Sequence, residues 1–125
     1  MLGSTQWTIK TQGTDKYFGS ATDYAKTFAN QFGGRAVEYH GAEATAACLA
    51  LALAVEKAGS TDPDKVRDAL AGLDVPSFFG PIKFSPTGQN LTKKMGVIQI
   101  QNGKPVAVWP KDQAEATLKW PGTAA

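Results

Sequence analysis

Residues 46–55, Ala-Ala-Cys-Leu-Ala-Leu-Ala-Leu-Ala-Val, are apolar without interruption. Alanine and leucine favour helix, and Glu56-Lys57 precede a stop at Gly59, so the run predicts a helix from about 42 to 58. Its apolar residues fall on nearly every side, and such a helix is normally covered on several faces. The small alanines let neighbouring elements approach closely. A chain of 125 residues has little polypeptide with which to wrap it.

The flanking segments supply two further helices and then a change of period. Ser20 reads as an N-cap with Asp23 in the first turn, and Tyr24, Phe28 and Phe32 recur at i, i+4 and i+8 beside Ala21 and Ala25. That stripe predicts an amphipathic helix over 20–32, stopped by Gly33-Gly34. Asp62-Pro63-Asp64 opens a third helix, with Val66, Ala69 and Leu70 on its inner face and Gly72 at its end. Ahead of these, Trp7-Thr8-Ile9 reads as a short strand and 12–15 as a loop. Phe78-Phe79, placed before Gly80-Pro81, is expected to pack a turn against the core. Ile82 and Phe84 then alternate with Lys83, and 97–101 and 106–109 read as strands joined by Asn102-Gly103, a strong hairpin signal. Pro110 ends the second strand. The tail, 111–125, is polar, with Leu118 and Trp120 its only large apolar groups. Helices followed by an antiparallel hairpin read as α+β.

Composition removes several functions. The chain carries 13 Lys+Arg against 11 Asp+Glu, a net charge of +2, and its only adjacent basic pair is Lys93-Lys94. Nucleic-acid binding by counterion release needs several basic groups on one face, so no nucleic-acid partner is expected. The single cysteine, Cys48, allows neither an internal disulfide nor a cysteine-based zinc cluster, and the single histidine, His40, leaves little for a triad. No stretch reaches the roughly 20 apolar residues of a membrane span. The segment Met1–Trp7 lacks the charged and apolar regions of a signal peptide. No glycine-rich phosphate loop occurs.

Several motifs in order resemble a known family. Glu38-Tyr39-His40-Gly41-Ala42-Glu43-Ala44-Thr45-Ala46-Ala47 leads into the run from Ala54 to Leu70. Phe79-Gly80-Pro81-Ile82-Lys83-Phe84 is followed by Thr87-Gly88-Gln89, and then by the run from Gln99 to Pro110. Over roughly residues 3–110 the chain resembles the C-terminal third of bacterial periplasmic solute-binding proteins of the branched-chain amino acid (Leu/Ile/Val-type) ABC transporter class. The resemblance implies a type I periplasmic-binding fold. In that fold two α/β lobes, each a parallel sheet flanked by helices, close on a ligand at three hinge crossings and present it to a permease. It implies a periplasmic, non-enzymatic protein without cofactors. Family members run to several hundred residues, and the parallel strands of both lobes are missing here. The expectation is therefore an α/β-derived fragment: residues 1–110 the C-terminal part of a solute-binding-protein-like domain, 111–125 a tail.

A fragment leaves the 42–58 helix without its usual sheet. Exposing Leu49, Leu51, Leu53 and Val55 forgoes about 1.5–3 kcal/mol each, against a whole-domain stability of about 5–15 kcal/mol. This predicts an obligate homo-oligomer, most simply a symmetric dimer with or without exchanged segments. A separate N-terminal subunit or an ABC permease are the other expected partners. Tyr39, His40 and Glu43 sit at the start of the helix, in a stretch that lies near the interlobe cleft in the family, and Trp7 also falls near the cleft there. The four are the candidate ligand-binding residues: Tyr39 by stacking or its hydroxyl, His40 as donor, Glu43 for an ammonium or hydroxyl group, Trp7 by stacking. The competing readings are that His40 and Glu43 cap the helix or pair at i, i+3, and that Trp7 packs in the core. No catalytic or metal site is expected, because three or four ligands do not converge and Cys48 lies in an apolar run where it acts as a small hydrophobe. Two functions remain: binding of amino acids or related small carboxylated or aromatic compounds, or a non-binding structural remnant that assembles with itself or a separate subunit.

Overall fold

Three helices and an antiparallel sheet follow one another in the predicted order. The structure, a computed structural model, describes residues 1–120, so the last five residues of the tail lie outside it. Strand β1 (Leu2–Thr5) is followed by the two-residue strands β2 (Thr14–Asp15) and β3 (Gly19–Ser20). Helices α1 (Ala21–Gln31), α2 (Tyr39–Ala58) and α3 (Pro63–Ala71) come next. Two more short strands, β4 (Asp74–Val75) and β5 (Ile82–Lys83), precede the longer β6 (Gly96–Gln101) and β7 (Lys104–Trp109) and a 3-10 turn at Lys111–Gln113. The main sheet has the order β1-β6-β7, and the fold class is mixed α+β as expected.

Helix α1 starts where its cap dictates. The Asp23 amide donates to the Ser20 hydroxyl at 3.2 Å, and the Ser20 amide donates back to the Asp23 carboxylate at 3.1 Å. This reciprocal capping box satisfies two amides that the helix itself leaves unpaired. Helix α2 behaves differently. It begins at Tyr39, three residues before the predicted 42, and Glu38 at its N-cap makes no side-chain cap bond. Its first turn is held from the side instead: the Tyr24 hydroxyl lies 2.8 Å from that of Thr45, which donates to the Gly41 carbonyl at 3.0 Å. The helix ends at Gly59, whose φ of 58° suits a residue without a Cβ. Helix α3 is capped by Asp62, which accepts from the Lys65 amide at 3.1 Å.

Two clusters bury the apolar side chains. In the first, Tyr24 and Ala21 of α1 meet Ala42, Ala46 and Leu49 of α2, closed by Trp7, Phe78 and Phe79. In the second, Ala50 of α2 packs with Leu73 and Ile82. Helix α2 thus buries one arc only. Leu53 and Val55 are half-buried, whereas Ala44, Ala47, Cys48 and Ala52 are exposed and Leu51 is 53% exposed. Cys48 therefore does not occupy a packed interior.

The hairpin forms as its sequence requires. Asn102 and Gly103 take φ values of 53° and 74°, the left-handed pair that matches the twist of two antiparallel strands. The predicted strand at Trp7-Thr8-Ile9 is absent, and the first strand lies at Leu2–Thr5 instead. Side-chain bonding curls the chain there: the Thr5 hydroxyl donates to the Trp7 carbonyl at 2.8 Å and accepts from its amide at 3.2 Å, and the Thr8 amide donates to Thr11 at 3.0 Å. Such local bonds compete with strand pairing. The polar tail crosses back over the sheet. The buried Gln99 side chain donates to the Lys119 carbonyl at 2.9 Å and accepts from its amide at 3.0 Å, and the Glu115 amide donates to the Ala107 carbonyl at 2.8 Å.

Candidate functional site

Asp15 joins the loop after β1 to the turn at Phe78. One carboxylate oxygen accepts from the Tyr17 and Phe18 amides at 2.9 and 2.8 Å, and the other accepts from the Phe78 amide at 2.9 Å. The Phe78 carbonyl accepts from the Trp7 indole N–H at 3.0 Å. Ser77 closes the same turn by donating to the Gly80 carbonyl at 2.6 Å. Two segments far apart in sequence are thereby fixed side by side.

Between them lies a cavity of about 230 Å³, open to solvent on one side. Gln6, Thr11 and Gln12 line it from the loop after β1, Lys93 and Lys94 from the approach to β6, and Gln113 from the 3-10 turn. Asp112 is the one carboxylate on its wall. Lys93 is half-buried, its ammonium 3.6 Å from the centroid of the Phe79 ring and hydrogen-bonded to the Phe79 carbonyl. Burial pushes this ammonium down to a pKa of about 8, against the opposing pull of the Glu43 carboxylate.

The four residues singled out from the sequence do not share this cavity. Trp7 is 5% exposed, packed edge-to-face with Tyr24 at 6.0 Å, while its neighbour Gln6 reaches the cavity. Tyr39 packs half-buried against the first cluster, and the exposed His40 ring lies 4.0 Å from it. Glu43 is half-buried and is coupled to the cavity by charge alone, through Lys93. Neither His40 nor Glu43 caps α2. Sequence reasoning passed over Lys93, Thr11 and Gln12, and its one available signal was that Lys93-Lys94 is the only adjacent basic pair. Among the described residues no group of three metal-ligating side chains converges, and no helix is long and apolar enough to cross a membrane.

The arrangement can hold a small polar or anionic molecule. Residues 3–105 match the family model described as periplasmic binding protein. The chain belongs to the periplasmic binding protein family, and its α+β order of helices and antiparallel strands fits a fragment of that fold. The family binds solutes rather than transforming them, and membership points to the periplasm.

Proposed function

We propose that the chain is a non-enzymatic solute-binding element of an ABC uptake system, binding amino acids or related small carboxylated or aromatic compounds. The observation that carries this reading is the half-open cavity at Lys93 in a chain of the periplasmic binding family. Half of a binding site lies in one chain, and a second wall comes from a partner, a further copy or a separate N-terminal subunit. In that assembly Tyr39, His40 and Glu43 form the neighbouring rim, and Trp7 holds the Gln6–Gln12 loop in place. A thermal-shift panel of amino acids and aromatic acids tests the reading, since a ligand that favours the native state raises the melting temperature by mass action. No shift across the panel rejects it.

A second reading, a self-assembling structural remnant, is favoured by the exposed stripe Ala44, Ala47, Cys48 and Leu51 on α2. It predicts an oligomer in light scattering together with an empty ligand panel. Assembly with a ligand response instead supports the solute-binding reading.

A further inference from the structure

Lys93 feels the Glu43 carboxylate only from beyond ion-pair distance. Among the described residues its ammonium makes no ion pair. It has one protein acceptor, the Phe79 carbonyl, and the face of the Phe79 ring. An ammonium carries three donors, and a half-buried charge left short of partners is costly. On the cavity wall Lys94 adds a second positive charge, Asp112 removes one, and Thr11, Gln6 and Gln12 supply neutral hydroxyl and amide groups. The groups that line the wall therefore carry one positive charge in excess, with Glu43 acting on Lys93 from outside the lining. Pro81 offers an apolar contact beside it.

We infer that this cavity binds the carboxylate of a small organic acid that lacks an α-ammonium group, with Lys93 as the inner charge partner and Lys94 as the outer one. The inference rests on the solute-binding reading and narrows its ligand class. A zwitterionic amino acid would bring its own ammonium beside two lysines, whereas an organic monoanion neutralises the surplus charge. The charged groups around Lys93 are Glu43 of α2, Lys94 beside it in the chain, and Asp112 in the turn after β7. Because Lys93 loses its proton near pH 8, a bound anion must hold that proton in place. Affinity for a carboxylate then falls as the pH rises, by about tenfold between pH 7 and pH 9.

Calorimetric titration with benzoate, its neutral counterpart benzamide, and leucine tests this on the full chain and on Lys93→Met, Lys93→Arg and Lys94→Ala. Benzoate is expected to bind, and benzamide and leucine to bind at least about tenfold more weakly. Lys93→Met should lose at least about tenfold in benzoate affinity at pH 7. Lys93→Arg should retain binding without the fall between pH 7 and 9, and Lys94→Ala should bind more weakly while keeping that fall. If Lys93→Met does not fold, the wild-type pH profile and Lys93→Arg still decide the matter. Leucine binding as tightly as benzoate, or alone, overturns this inference and leaves solute binding standing. Binding of neither overturns both. Benzoate affinity that is flat with pH or indifferent to Lys93→Met overturns the assignment to Lys93.

Discussion

The Tyr24 ring of α1 is stacked on that of Phe78, with centroids 4.1 Å apart and planes inclined by 29°. Phe78 is fully buried and meets Phe18 edge-to-face at 5.2 Å; its amide donates to Asp15 of β2 and its carbonyl accepts from Trp7 in the loop after β1. The same ring thus supports the first core cluster and the wall that carries Gln6, Thr11 and Gln12.

Phe78→Ala should therefore cost about 3–5 kcal/mol, the usual range for removing a buried aromatic. Phe32, 55% exposed, is the control, and Phe32→Ala should cost less than about 1 kcal/mol. Urea denaturation followed by tryptophan fluorescence measures both, and equal losses would show that the core is not centred on Phe78.

Glycine positions divide by what surrounds them. Gly13 has a φ of 118° and a Cβ there would lie 2.5 Å from the Ser77 carbonyl oxygen, whereas Gly33, with a φ of 62°, faces open space. Gly13→Ala should destabilise by more than about 2 kcal/mol, and Gly33→Ala by about 1 kcal/mol. The difference in denaturation midpoint checks this.

Ser20 caps α1 and holds the Asp23 carboxyl below its usual value, chiefly through its hydroxyl and then its amide. The stabilisation is present above the ordinary aspartate range and is lost as the pH falls through the lowered value. Ser20→Ala should cost about 0.5–2 kcal/mol through the lost cap. A carboxyl-detected NMR titration should show Asp23 moving back up in the variant.

Lys93 carries the same sign at higher pH, because its pKa is also lowered by folding. Its proton is bound less tightly in the folded chain than in the unfolded one, so the unfolded state holds more protons between about pH 8 and the ordinary lysine value of 10.5. Folding stability contributed by this group should rise with pH across that window. Denaturation of wild type and Lys93→Met at pH 7.5 and 10 measures the difference, and the variant should lack this component of the rise.

Leu51 is the largest apolar side chain of the exposed stripe of α2. If the proposed dimer forms there, Leu51→Asp should shift it to monomer in size-exclusion light scattering at low micromolar concentration, with an unchanged far-UV spectrum. A wild type that is already a folded monomer at that concentration defeats the proposal.

The elements were largely legible because their signals are local. The stripe Tyr24–Phe28–Phe32 and the Ser20 cap mark α1, Pro63 and Gly72 bracket α3, and Asn102-Gly103 marks the hairpin. The start of α2 was not legible, since its first turn is held by Tyr24 and Thr45 rather than by a cap. Trp7-Thr8-Ile9 misled for a related reason: three β-favouring side chains follow one another there, but the Thr5 and Thr11 hydroxyls bond the Trp7 carbonyl and the Thr8 amide and curl the segment. The candidate site was less legible still. Lys93 looked like one of several surface lysines until the fold placed it over Phe79.

From the sequence alone came the helices, the hairpin, the apolar excess of α2 and the family, because periodicity, caps and turn residues act between near neighbours along the chain. Only the tertiary structure decided which arc of α2 is covered, that Trp7 is core while Gln6 meets solvent, and that Lys93 and Glu43 feel each other's charge. Burial and electrostatic coupling depend on distances in space, and those are set only when Asp15 and Phe78 bring remote segments together.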